Sequence, residues 1–225
     1  MTQFIEVRRK VLEVNDRKAE QLRRRFLEQG TLVTNFISSP GSGKTTLLET
    51  TVQRLWAKFS CAVLVGDVAT ERDADRIRHL GIPARQILTG GACHLEAGQI
   101  ETSLDRLVER PLNFLFIENV GNLICPTAYD LGEDFKVALL SVAEGDDKPF
   151  KYPGIFSHAQ VTLVTKIDLL PYVNFDVDVV HAQVASLNPS GRILALSSRT
   201  GEGVEEWCEM LLAQLEAKRA GVGDF

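Results

Sequence analysis

Apolar residues fall into two kinds of pattern along this chain. Short apolar runs stand at residues 32–39, 61–65, 113–117, 136–142, 161–165 and 192–196, with a shorter one at 86–88. Runs of this length, bounded by polar or turn residues, are expected of strands covered on both faces. Between them lie stretches with helical spacing at 44–58, 71–80, 96–110, 177–187 and 203–219. Residues 5–30 read as a polar, Arg- and Glu-rich helix with Leu12, Val14, Leu22 and Phe26 as its apolar stripe and Gly30 as its stop. Residues 148–159 hold two prolines and a glycine and read as a loop with one helical turn. Strands alternating with helices predict an α/β fold, a mainly parallel sheet flanked by helices on both faces. The expected organisation is one domain over residues 31–225 with the helix of residues 1–30 packed on it.

Composition narrows the class. At 225 residues the chain is long enough to bury one full core, and 44% hydrophobic with 24% charged residues is ordinary for a soluble protein. A net charge of −5 argues against a nucleic-acid partner. No apolar run approaches the roughly 20 residues that span a bilayer, and the first 28 residues are charged throughout, so neither a membrane partner nor a signal peptide is expected. Cys61, Cys93, Cys125 and Cys208 are too sparse for a disulfide framework, which makes a reducing cytoplasm the expected location.

The strongest chemical signal is Ser38-Ser-Pro40-Gly41-Ser42-Gly43-Lys44-Thr45, between an apolar run and a helical stretch. That is the setting of a phosphate-binding loop (Walker A). Glycines let backbone N–H groups wrap around phosphate, Lys44 reaches the β- and γ-phosphates, and the Thr45 hydroxyl holds Mg2+. Ser38 stands where the motif usually has Gly; the competing reading is a glycine-rich turn without a ligand. Thr165-Lys166-Ile-Asp168 resembles the Asn-Lys-x-Asp element of GTPases, in which the Asp accepts from guanine N1–H and the 2-amino group and the Lys stem packs on the ring. Adenine lacks that donor pair. Ser197-Ser198-Arg199 resembles the element whose backbone reads guanine O6. Each alone is equally a surface turn; in this order after the phosphate loop they favour GTP.

Glu118-Asn-Val-Gly121 stands where Ras-type GTPases carry Asp-x-x-Gly, a carboxylate for Mg2+ and a Gly N–H for the γ-phosphate. Asp67 is a second Mg2+ candidate. Asp73 and Asp75 are further ones, although carboxylates there also suit a solvated first helical turn. No glutamine offers itself to orient water, so slow intrinsic hydrolysis is expected. Cys93-His94, placed at the start of a helix, and Cys125 provide thiolate and imidazole ligands suited to Ni2+ or Zn2+, with the helix N-terminus expected to lower the Cys93 pKa. The competing reading is that the cysteines are core residues, as expected for Cys61 and Cys208. What favours a metal site is that Cys125 follows the γ-phosphate-sensing Gly121.

Ser38–Thr46, Gly66-Asp67-Val68-Ala69, Cys93-His94-Leu95, Glu118-Asn-Val-Gly-Asn-Leu123, Cys125-Pro126 and Lys166-Ile-Asp-Leu-Leu-Pro171 together resemble the hydrogenase nickel-incorporation GTPase, the HypB family, over nearly the whole chain. The resemblance implies a SIMIBI-class P-loop GTPase that dimerises with nucleotide. It implies delivery of nickel to the hydrogenase large subunit together with a HypA-type nickel chaperone. It puts GTP on Pro40, Gly41, Ser42, Gly43, Lys44, Thr45, Thr46, Gly121, Lys166, Asp168, Ser198 and Arg199. Mg2+ then falls on Thr45, Asp67 and Glu118, catalysis on Lys44, Asp67 and Glu118, and Ni2+ or Zn2+ on Cys93, His94 and Cys125 between subunits. Some members begin with a cysteine-rich nickel motif or carry a histidine-rich run; neither occurs here, so nickel storage is not expected. The urease-maturation GTPase is the nearest alternative. A P-loop kinase and a non-hydrolytic metal sensor are more distant ones.

Overall fold

Side chains alternating along each strand divide the core in two. In β1 (Leu32–Ser38), Leu32 and Phe36 join one apolar cluster, while Val33 and Ile37 join clusters on the opposite face. The computed structural model describes residues 2–68, 71–107 and 111–221, with side chains from residue 10 onward. Besides β1, the strands are β2 (Cys61–Asp67), β3 (Ala84–Leu88), β4 (Phe114–Glu118), β5 (Phe135–Ser141), β6 (Val161–Thr165) and β7 (Arg192–Leu196). They form one sheet in the order β3-β2-β4-β1-β5-β6-β7, with every neighbouring pair parallel. β3 begins two residues before the run at 86–88 because Ala84 and Arg85 continue the ladder opposite Val63 and Leu64; as an edge strand it tolerates the charged Arg85.

The helices are α1 (Thr2–Gln29), α2 (Lys44–Leu55), α3 (Arg72–Arg78), α4 (Ala97–Asp105), α5 (Lys148–Lys151), α6 (Pro153–His158), α7 (Val177–Leu187) and α8 (Val204–Arg219). One face of the sheet is covered by α2, α3 and α8, where Trp207 meets Phe36 edge-on at 5.9 Å and donates to Thr51 Oγ1 at 3.0 Å. The other face is covered by α1 and α4 over β2 and β4, and by α6 and α7 over β5 and β6. Among the described residues no helix is long and apolar enough to cross a membrane.

Three sequence expectations need correcting. On α1 the buried stripe is Asn15, Ala19, Leu22 and Phe26, whereas Val14 is 61% exposed. One residue is a rotation of about 100° on a helix, and the buried face is set by contact with α4 and β1, which accepts a polar Asn15. The segment 148–159 is two short helices rather than a loop, because Pro149 and Pro153 stand in first turns, where a missing N–H costs nothing. The helix expected over 96–110 starts at Ala97, with the Gln99 side chain accepting from the Glu96 N–H at 2.9 Å, and ends at Asp105; residues 108–110 of that expectation lie outside the described residues.

With β1 central, β4 lies on one side and β5 on the other. The crevice at the carboxyl end of β1 is the usual ligand position in an open parallel sheet. The phosphate loop occupies it.

Candidate functional site

The loop leaves β1 at Ser38 and enters α2 at Lys44, turning through Gly41 (φ +79) and Gly43 (φ +99). A side chain at those angles is strained, so glycine is required for the backbone to curl around phosphate. Lys44 is buried and donates to Ser38 Oγ at 2.9 Å; the serine that departs from the motif thereby supplies a rest for the lysine. Burial lowers the Lys44 pKa against the opposing pull of Glu118, Asp73, Glu144 and Asp67. On the far side of the loop the Ser42 hydroxyl donates to Glu144 at 2.6 Å.

The Thr45 hydroxyl donates to Glu118 Oε1 at 2.8 Å. Glu118 Oε2 is buried and finds no hydrogen-bond partner, and burial pushes its carboxyl up to about 7 in spite of Lys44 nearby. A partnerless buried carboxylate oxygen beside a hydroxyl fits a hard divalent cation such as Mg2+, whose charge would favour the ionised form. Pro40, Gly41, Gly43, Lys44, Thr45, Thr46, Asp67, Glu118 and Gly121 all line one cleft of about 470 Å³. Gly121 is packed so closely on the loop that a Cβ there would come within 2.9 Å of Pro40 Cγ and 3.1 Å of its backbone. Asp73 also lines this cleft, while Asp75 turns away to pair with Arg78. Arg76, which sequence reasoning missed, lines it too, held by Glu49 and by Thr46 Oγ1 at 3.1 Å. Its spacing of three from Asp73 places both on one helix face, a signal that was available.

An adjoining pocket of about 250 Å³ is lined by Ser42, Gly43, Thr46, Lys166, Asp168, Ser198 and Arg199 among others. Thr165, in the place of Asn, donates to Ser42 O at 2.7 Å and so fastens the end of β6 to the phosphate loop. Lys166 takes a left-handed backbone (φ 61) and reaches over the loop to Gly41 O at 2.6 Å. Asp168 accepts from the buried Ser197 hydroxyl at 2.6 Å, with Arg199 at 3.8 Å from its other oxygen. These contacts aim a carboxylate into a pocket continuous with the phosphate cleft, as recognition of a base with two adjacent N–H donors needs.

Cys93 and His94 lie in the loop before α4, short of its first turn. The thiol therefore lacks the expected help of a helix terminus. Its pKa is raised instead, by a hydrogen bond with Cys125, by burial and by the charge of Cys125. Asn122 Nδ2, donating to Cys93 O at 3.3 Å, ties the Cys93 loop to the segment that carries Cys125, 32 positions along the chain. The His94 ring stacks on Tyr129 at 3.7 Å, with Nδ1 3.8 Å from Cys93 Sγ. Burial lowers the His94 pKa, which favours the neutral, ligating imidazole. Among the described residues no three Cys, His, Asp or Glu side chains are gathered closely enough to hold a metal ion. Cys61 and Cys208 are buried in the core, the first with its thiol pushed up to about 12 by burial.

Residues 32–195 match the family described as CobW/HypB/UreG, nucleotide-binding domain. Hydrogenase maturation factor HypB of Escherichia coli (strain K12) is 50% identical over 211 residues, 94% of this chain and 73% of that protein. This chain belongs to the HypB family. Hydrogenase/urease maturation factor HypB of Helicobacter pylori (strain J99) is 44% identical over 92% of this chain and 87% of that protein. The crystal structure of HypB from Helicobacter pylori in complex with nickel superposes with a TM-score of 0.86 at 43% identity, covering 93% of this chain and 97% of that one. HypB from Archaeoglobus fulgidus gives 0.85 at 40% identity, covering 91% and 100%. The signal recognition particle 54 kDa protein from Aeropyrum pernix, at 12% identity and a TM-score of 0.56, shares the fold alone. Membership of the HypB family agrees with the phosphate loop, the Glu118–Gly121 segment and the Lys166–Asp168 pair being gathered at one end of the sheet.

Proposed function

We propose that this chain is a GTP-hydrolysing metallochaperone that assists nickel insertion into nickel–iron hydrogenase during its maturation. Residues 31–225 act as a single GTPase domain carrying the helix of residues 1–30. The observation that carries the reading is the Asn122 hydrogen bond to the Cys93 carbonyl, which ties Cys93 to the segment that carries Cys125 and begins at the Thr45–Glu118 hydrogen bond. The loop N–H groups and Lys44 hold the phosphates, Asp168 and Lys166 select guanine with Ser198 and Arg199 at the rim, and the Gly121 N–H meets the γ-phosphate. Mg2+ held by Thr45, Asp67 and Glu118 supplies charge neutralisation on the phosphate oxygens. Turnover is slow without a partner.

Cys93, His94 and Cys125 are soft and borderline ligands suited to Ni2+ or Zn2+ as cargo. One chain gathers too few of them, so a nucleotide-dependent homodimer is the form that completes the set. A HypA-type chaperone and the hydrogenase large subunit are the expected partners, in the cytoplasm. Because the Helicobacter pylori relative carries a name covering both hydrogenase and urease, urease maturation is the second reading.

The test is titration of metal-free protein with Ni2+ and with Zn2+, in GDP and in a non-hydrolysable GTP analogue, with mass followed by light scattering. The expected result is about one ion per dimer, with an affinity or a dimer fraction that depends on nucleotide. Equal metal affinity in both nucleotide states with no change of mass would reject the coupling.

A further inference from the structure

Asn35 sits in the middle of the central strand β1, with no exposure to solvent, between the apolar Val33 and Ile37. A buried amide there must be satisfied, and both of its ends are used. Its oxygen accepts from Asn119 Nδ2 at 3.1 Å, and its nitrogen donates to Glu133 Oε1 at 3.2 Å. The carboxylate can only accept, which fixes the orientation of the Asn35 amide. Asn119 is held further by its own N–H on Phe36 O at 3.0 Å, and its Oδ1 accepts from the Val120 N–H at 2.9 Å. Glu133, itself buried, accepts from the Leu131 N–H at 2.6 Å and from Lys136.

These bonds have a simple topological result. The segment 119–133 leaves the sheet after β4 and returns at β5, carrying Gly121 near its start and Cys125 in its middle. Both of its ends are pegged to the same buried side chain. Gly121 is in contact with the phosphate loop at Pro40, and Asn122, next to it, holds the Cys93 carbonyl. Neither end can shift without breaking a buried hydrogen bond or carrying Asn35 with it, and a buried, mutually polarised chain of this kind has few intermediate arrangements.

We propose that Asn35 is a positioning residue: through Asn119 and Glu133 it makes the Gly121 and Glu133 ends of this segment move together, so that nucleotide state sets the placement of the Cys125 thiol against Cys93. This rests on the nucleotide–metal coupling read above and adds the side chain that carries it. A merely structural role would alter stability alone.

The experiment is peptide-resolved alkylation of Cys125 by N-ethylmaleimide in metal-free protein, with GDP and with Mg2+ plus a non-hydrolysable GTP analogue. Wild type, Asn35→Ala and the nearly isosteric Glu133→Gln are compared, with circular dichroism melts showing that each is folded. In wild type the two rates differ by about fivefold or more, the lower range of measured couplings. In each folded variant the ratio falls to within about twofold of one, while GDP affinity stays within about threefold of wild type. A folded variant that keeps the wild-type ratio overturns the proposal, and Glu133→Gln decides the matter if Asn35→Ala does not fold. A wild-type ratio of one would instead reject the coupling itself. Amide hydrogen exchange then reads the clamp separately: Asn35→Ala, or Glu133→Gln if that variant does not fold, speeds exchange at both ends of 119–133. Faster exchange at one end only, or at neither, overturns it.

Discussion

Thr45 Oγ1 donates to Glu118 Oε1 across 2.8 Å, joining the first turn of α2 to the last residue of β4. The bond satisfies one carboxylate oxygen and leaves the other buried without a partner, in the cleft that Lys44 and Asp67 also line. Such a group is costly to fold in its charged form and becomes favourable when a cation arrives.

The first prediction is a pH effect. The Glu118 carboxyl is pushed up to about 7 from an ordinary 4.5, so the folded protein binds more protons than the unfolded one between those values. Stability of the metal- and nucleotide-free protein therefore falls as pH rises through that window, by on the order of 3 kcal/mol. Thermal melts in a chelator at pH 5 and pH 7.5 measure it. Glu118→Gln removes this drop, and also lowers nucleotide hydrolysis by about a hundredfold or more, since a neutral amide is a poor Mg2+ ligand. A pH dependence unchanged in the variant would show that another group titrates.

The base pocket gives the second. Asp168→Asn replaces one of two acceptors by a donor, which then faces the guanine 2-amino group. GTP affinity is expected to fall by about a hundredfold or more. Xanthosine triphosphate, which has an acceptor at that position, is expected to bind the variant better than GTP. Competition against a fluorescent guanine nucleotide measures both, and an unchanged preference for GTP removes Asp168 from base recognition.

Substitution of Cys125 by Ser should weaken Ni2+ binding by about tenfold or more, a hard hydroxyl being a poor replacement for thiolate. GDP affinity should stay within about threefold, because Cys125 lies outside the nucleotide cleft. Isothermal titration with each ligand separates the two effects; equal loss of both would mean that the serine has disturbed the whole segment.

Gly121→Ala tests the close approach of the 119–133 segment to the phosphate loop. Its Cβ would meet Pro40 Cγ at 2.9 Å and the Pro40 backbone at 3.1 Å, and the backbone cannot yield as a flexible side chain would. The expected result is a loss of about 1–3 kcal/mol in stability, as for other overpacked sites, together with a smaller difference between GDP and GTP-analogue affinities. Chemical denaturation and nucleotide titration supply the two numbers.

The gathering of the phosphate loop, the Glu118–Gly121 segment and the Lys166–Asp168 pair at one cleft and its adjoining pocket was largely legible before the fold was known, for a local reason. Residues 38–45 span one strand end, one turn and one helix start, so their spacing alone fixes how they can meet a phosphate. Thr165–Asp168 and Ser197–Arg199 each follow an apolar run, and parallel strands put the carboxyl ends of successive runs on the same edge of the sheet. Membership of the HypB family and the parallel sheet with helices on both faces follow from the same order of motifs.

What the sequence by itself determined is therefore contiguous chemistry: the phosphate loop, the Glu118–Gly121 segment, the Lys166–Asp168 pair, and the burial of Cys61 and Cys208. Tertiary structure alone decided everything that depends on rotation about a helix or contact across the chain. It chose Asn15 over Val14 as the buried face of α1, and Asp73 over Asp75 for the cleft. It moved Cys93 off the helix terminus that would have lowered its pKa, tied its carbonyl to Asn122 on the segment that carries Cys125, and turned His94 onto Tyr129. It also joined Asn35 to Asn119 and Glu133, residues 84 and 98 positions away. A spacing pattern carries the direction of a side chain only within its own element; which distant groups face one another is set by how the elements pack.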